Sequence, residues 1–175
     1  VCGGTAAMDE CGTCDDDPSN DCIIESYFIP VYLEVSDNPY LPMNLTITSA
    51  QLESIDLEAG DEIGIFDGDI CVGSGRVTET ISQDNMLALV ASAQDPSWPA
   101  GSGFTAGNDI SYHFYDSSQE LEISTVTTNY LQGEGIFSNS GSAYVELIGL
   151  QTIEQNIAFT NGWNIMSFNM SPEDM

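Results

Sequence analysis

Twenty-eight carboxylates and five thiols dominate the reactive side chains of this 175-residue chain, against one arginine (Arg76), one histidine (His113) and no lysine. Carboxylates crowded on a turn repel one another, and one hard cation with roughly six to eight oxygen ligands relieves that repulsion. Two groupings fit: the run Asp15-Asp16-Asp17 with Asp21, and the loop acids Asp56, Glu58, Asp61, Asp67 and Asp69. Calcium is the cation they point to. Asp67 and Asp69 have an equal claim to be simple hairpin residues, and no segment matches a full EF-hand loop.

Catalysis finds little support. A Ser-His-Asp triad would have to use His113, which sits in SYHFYD on the polar parity, and no Gly-x-Ser-x-Gly accompanies it. P-loop, dinucleotide-binding and zinc-protease motifs do not occur. Nothing singles out a carboxylate pair for glycoside hydrolysis, and Trp98 and Trp163 are too few to suggest a sugar-stacking cleft. The expectation is a protein that is not an enzyme.

The formal charge of -27 excludes further classes. Nucleic-acid and anionic-membrane binding are built from Lys and Arg, which this chain lacks. No apolar run approaches the ~20 residues of a membrane-spanning helix. Self-repulsion of this size disfavours a compact state unless cations gather, which again favours calcium.

Four of the five cysteines, Cys2, Cys11, Cys14 and Cys22, crowd the N-terminus, a density that predicts disulfides in an oxidising, extracellular setting. Cys71 stands apart in the strand-like ICVGSG. It is a buried thiol, the partner of an N-terminal cysteine, or an intermolecular bridge. Two sequons, Asn44-Leu-Thr46 and Asn169-Met-Ser171, mark Asn44 and Asn169 as glycan acceptors, and the Ser/Thr content permits O-glycans.

The elements that must position these groups are strands. With 42% hydrophobic residues, the chain can bury an ordinary core. Residues 1–22 contain almost no large apolar side chain and read as a Cys/Asp-rich linker. From 23 to 150 short β-branched and aromatic runs recur: Tyr27–Val35, Asn44–Thr48, Glu62–Phe66, Ile70–Thr78, Met86–Ala93, Ile110–Tyr115, Leu121–Val126 and Ala143–Leu150. Period-two alternation, as in Ile110, Tyr112, Phe114, puts one face in a core and one in water. This predicts an all-β fold, an antiparallel β-sandwich of jelly-roll or immunoglobulin-like type with about eight to ten strands. Met86–Ala93 is apolar on both faces and reads as a central strand. Asp67-Gly68 signals a type I′ hairpin, and Ala50–Ala59 is the best helical candidate, though short. Residues 151–175 carry Trp163, Ile165 and Phe168 on a strand pair that cannot bury them alone. It folds back on its own body or completes the sheet of a neighbouring copy as a donor strand.

Three segments carry resemblances. DECGTCDDDPSNDC resembles the DECGVCGGDGSSC-type linkers of secreted bacterial proteins, themselves similar to calcium-binding thrombospondin type 3 repeats. That resemblance implies oxygen ligands from Asp9, Asp15, Asp17 and Asp21, with the cysteines stapling the loop. PMNLTITSAQLESIDLEAGDEIGIFDGDICVGSG, followed by GFTAGNDISYHFYD, looks like a module of multidomain secreted proteins of Bacteroidetes, to which no catalysis is generally attached. NGWNIMSFN is similar to the start of the "GWNLISFN" domains of the same proteins. With the chain opening inside a Cys-Gly-Gly pattern and without a signal peptide, these imply a processed piece of a longer extracellular protein. The expected function is structural: a filament, stalk or matrix subunit polymerised through its terminal strands and stabilised by calcium and disulfides. The alternative is a calcium-dependent module binding carbohydrate or a cell surface, which would need Tyr112, Tyr115, Trp98 and Tyr130 to converge.

Overall fold

The protein is described by a computed structural model that covers residues 7–8, 14–15 and 26–151. It is all-β. Eleven strands and a single 3-10 turn follow in order: β1 (Ala7–Met8), β2 (Cys14–Asp15), the 3-10 turn (Val31–Glu34), β3 (Met43–Leu52), β4 (Ile55–Asp56), β5 (Glu62–Asp67), β6 (Ile70–Arg76), β7 (Leu87–Ala91), β8 (Ser111–Asp116), β9 (Leu121–Ile123), β10 (Val126–Gln132) and β11 (Ser142–Gly149). β1 and β2 form a small antiparallel pair. The other strands build two sheets. The first runs β10-β11-β3, with β4 and β7 sharing the far edge of β3; the second runs β6-β5-β8-β9.

Alternation sets which side chains face inward. On β3, Met43, Leu45 and Ile47 are buried, while Asn44 is exposed and Thr46 half-buried. The strand then bulges where its register against β11 shifts between Val145 and Glu146. Thr48 is the extra residue, and its hydroxyl donates to the Val145 carbonyl at 3.3 Å. The bulge resets the phase, so that Ala50 returns to the core. Ala143, Val145 and Leu147 of β11, Ile63 and Ile65 of β5, and Tyr112 and Phe114 of β8 meet them in one apolar cluster drawn from both sheets.

Along one side, the two sheets are joined by the approach of β6 to β7. A Cβ at Gly73 would stand 2.3 Å from the Val90 carbonyl oxygen, and one at Gly75 would stand 2.3 Å from a Leu89 methyl. Only glycine lets these strands come so close, and the Ser92 N–H donates to the Val72 carbonyl across the seam.

Six expectations are corrected. Tyr27–Val35 is not a strand: it bends at Tyr27 and Phe28, passes through an extended Pro30 and turns into the 3-10 helix, pinned by a side chain of β5 rather than by a strand partner. Ala50–Ala59 is not helical; it is the end of β3, a turn with Glu53 at φ 59°, and β4. β7 is an edge strand with alternating burial, and its outward Ala88 is exposed, because its other side faces β6 instead of a ladder partner. In the β5–β6 hairpin Asp67 pairs with Ile70, so the loop is Gly68-Asp69, not Asp67-Gly68. Positive φ occurs at Gly68 alone of these two, which fits a type II′ turn rather than I′. The expected strand Leu121–Val126 is two: β9 stops at Ile123 and β10 begins at Val126. Finally, β11 and β3 pair in parallel, whereas every other pairing between the named strands is antiparallel.

Candidate functional site

The outer face of the second sheet is covered by the chain itself. Glu62 points outward from β5 yet is only 2% exposed. Its Oε2 accepts the Tyr27 N–H at 2.9 Å and the Phe28 N–H at 3.1 Å. Its Oε1 accepts from Arg76 Nη2 at 2.6 Å and Nε at 3.2 Å. One buried carboxylate thus satisfies two backbone donors and a guanidinium fork. The Tyr27 ring stacks on Tyr115 at 3.9 Å, and its hydroxyl donates to Glu122 at 2.8 Å. That hydrogen bond, more than burial, raises the Tyr27 phenol above its ordinary pKa. Glu122 also meets His113 Nδ1 at 2.6 Å, and the His113 ring stacks on Phe66 at 4.1 Å. Phe28 lies edge-on to Phe66, over Gly64, where a Cβ would come within 2.9 Å of the Phe28 ring. The chain's one arginine and one histidine, Arg76 and His113, thus both contact the carboxylates that hold this cover, Glu62 and Glu122. This arrangement was missed in the sequence. The available signal was that the one arginine of so acidic a chain must find a carboxylate, and Arg76 stands opposite Glu62 in the hairpin.

The loop acids divide between two ends of β5. Asp61 is buried; Oδ1 accepts from the Ser117 N–H (2.9 Å) and hydroxyl (3.0 Å), and Oδ2 from the Glu58 N–H at 2.9 Å. Asp116 beside it accepts from Ser118 and Gln119 through both backbone and side chain. Burial alone would raise the Asp116 carboxyl, but these hydrogen bonds outweigh it and the net direction is downward. Asp56, Glu58, Asp61 and Asp116 share a cavity of about 330 Å³ with Glu53 and Ile55. At the other end, Asp67 accepts from the Thr105 N–H and Asn108 Nδ2, both at 2.8 Å, tying the hairpin to a neighbouring loop. Asp69 is exposed in the turn. Among the described residues, no three of His, Cys, Asp and Glu group as a metal site. The structure brings Asp56, Glu58 and Asp61 to one cavity and leaves Asp67 and Asp69 elsewhere.

Cys71 forms no disulfide among the described residues and is half-buried, its thiol 3.5 Å from the Gly73 carbonyl. Burial pushes that thiol up to about 11, so the thiolate is scarce at neutral pH. Asn44 is exposed, but it lies inside a strand paired on both sides. The aromatic residues named for a sugar cleft do not converge. Tyr112 is in the core with its hydroxyl 3.4 Å from that of Tyr130, Tyr115 lies under Tyr27, and Trp98 packs against Tyr40. Asp9, Asp17, Asp21, Cys2, Cys11, Cys22, Asn169, Trp163, Ile165 and Phe168 lie outside the described residues, and of Cys14 and Asp15 only the strand β2 is described.

Among the described residues, the outer face of the first sheet has no such cover. Tyr144 (37% exposed) and Ile148 (42%) project from β11 on either side of Glu146; Tyr144 is aligned with Gln132 on β10 and Thr46 on β3, and Ile148 with Thr127 on β10 and Gln51 on β3. No family model, curated protein or solved structure matches this chain. The contrast between a covered and a bare sheet is therefore the feature on which a functional reading rests. Among the described residues no helix is long and apolar enough to cross a membrane.

Proposed function

We propose that this chain is an extracellular structural subunit, a β-sandwich module that builds a filament, stalk or matrix by strand complementation between copies. The observation that carries this reading is the asymmetry of the two sheets. A protein that spends a buried Glu–Arg pair and four aromatic rings to cover one sheet leaves apolar side chains uncovered on the other. Tyr144 and Ile148 on that face are 37% and 42% exposed, open to a second copy where the other sheet already carries its own cover. The resemblance to linkers and modules of secreted bacterial proteins points the same way. We read the chain as non-catalytic, since its clustered carboxylates serve backbone donors in turns.

Calcium enters the proposal as the counter-ion that lets copies of charge -27 approach one another. Asp61 and Asp67 are committed to protein donors, so the segment with Asp9, Asp15, Asp17 and Asp21 is where we place a specific ion. Disulfides among Cys2, Cys11, Cys14 and Cys22 would hold that segment. The direct test is electron microscopy of native, unheated material with and without a chelator. Ordered fibres that come apart on chelation support the proposal; single particles in both conditions overturn it.

The bare face also gives a second reading some support. Tyr144 stands between an amide and a hydroxyl side chain, Gln132 on β10 and Thr46 on β3, a chemistry suited to sugar hydroxyls. Calcium-dependent binding on a glycan array, without polymerisation, would favour a carbohydrate or cell-surface module.

A further inference from the structure

In the two larger sheets, four strands other than β10 lie at an edge, and each is blunted. β4 has two residues, one of them Asp56, and β9 has three with Glu122 at the centre. β6 and β7 face each other across the glycine seam. β10 differs: it is seven residues long, VTTNYLQ, and among the described residues it pairs with β11 alone. Thr127, Thr128, Asn129, Leu131 and Gln132 are all exposed, Leu131 by 53%. Natural edges carry charge, proline or extreme shortness to prevent strand addition. From Ile123 to Gly133 this chain has no Asp, Glu, Arg or Pro, although Glu122 and Glu134 bracket the stretch. One bulge near Leu131 is its only protection.

Residues 155–172, QNIAFTNGWNIMSFNMSP, are also free of charge. Two bodies of charge -27 repel least where neither presents carboxylates. The chain leaves the described body beside the same edge, where the Leu150 N–H donates to the Thr125 carbonyl at 2.8 Å. A run turning straight back from residue 151 would lie parallel to β10, the less stable pairing, whereas a strand from a second copy is free to run antiparallel.

We infer that the free edge of β10 is the acceptor for residues 155–172 of a neighbouring copy. This rests on the self-assembly proposed above and names the joint. The interface is heterologous: tail on one copy, edge on the next, so copies add head to tail, as a filament requires.

The test uses the full chain in two variants. Thr127→Asp with Leu131→Asp blocks the edge; Trp163→Asp with Phe168→Asp blocks the tail. Thermal unfolding checks that each stays folded, and light scattering reads the mass. Wild type should polymerise, each variant should be monomeric, and an equal mixture should double in mass and stop, since each partner keeps the half the other lacks. If wild type is itself monomeric, self-assembly fails and the inference with it. Should wild type polymerise and the edge variant polymerise equally, self-assembly stands and the inference is overturned. A tail variant that still associates while the edge variant does not would mean β10 pairs with β10 of a second copy, again overturning the inference. A mixture of folded variants that stays monomeric overturns it too.

Discussion

On the second sheet, Glu62, Phe66, His113 and Tyr115 face outward and are roofed by Tyr27 and Phe28; on the first, Tyr144, Ile148 and Thr127 face outward into water. Both sheets send the same kind of side chain inward. Their outer faces differ because only one has a carboxylate that can hold a passing segment. Glu62 satisfies two N–H groups that have no strand partner and neutralises Arg76, so the roof is part of the folded body. Glu146, the outward carboxylate of β11, reaches only the side chain of Asn129, at 2.8 Å. Position in a sheet thus does not decide whether a face is stabilising or available; the presence of a satisfied anchor does.

The comparison breaks most sharply at Glu62. Glu62→Ala removes the ion pair with Arg76 and the acceptor of the Tyr27 and Phe28 N–H groups, and should cost about 3–5 kcal/mol. Glu146→Ala on the bare face should stay within about 0.5 kcal/mol. Urea unfolding of the pair measures the contrast, and equal losses would deny that the roof is anchored. Phe28→Ala removes the apolar half of the roof and should cost about 3 kcal/mol by the same measurement. Tyr144→Ala should leave the unfolding midpoint almost unchanged, and a loss as large as that of Phe28→Ala would mean the bare face is covered too.

A smaller effect lies at Asp116. Its carboxyl is held below the ordinary value of 3.8, so its contribution is fully present above that pH and is lost as pH falls through the lower folded value. Unfolding followed from about pH 6 to about pH 2 should show wild type losing its advantage over Asp116→Asn only in the most acidic part. Smallest of all is Cys71, which touches neither outer face decisively. With its thiol pushed up to about 11, it should react with iodoacetamide at pH 8 far more slowly in the folded chain than in urea. Equal rates would show that the seam beside Gly73 opens readily.

Local alternation made the inner faces legible. Ala143, Val145 and Leu147 on β11 and Tyr112 and Phe114 on β8 point inward as their spacing requires. β10 escaped notice because VTTNYLQ has polar groups on both parities; its inward Val126 and Tyr130 are only half-buried, the mark of an edge. The parallel pairing of β3 with β11 joins residues about a hundred positions apart, and no periodicity within either strand encodes a partner's direction. The roof was misread for a related reason. Tyr27–Val35 has strand-like composition, but Pro30 and the reach of Glu62 across 35 positions turn it into a cover. The acids were legible as turn residues, and Asp61 and Asp67 do bind turns and loops; which of them share a cavity depended on the ends of β5 and β8 meeting.

The most direct test of an open, receptive β10 is amide hydrogen exchange on assembled wild type against the monomeric Trp163→Asp, Phe168→Asp variant. The account predicts that amides from Val126 to Gln132 gain protection on assembly, while those of β9 and of the β6–β7 seam exchange alike in both. If β10 exchanges equally fast in the polymer and the monomer, its edge is not the joint and the account is contradicted.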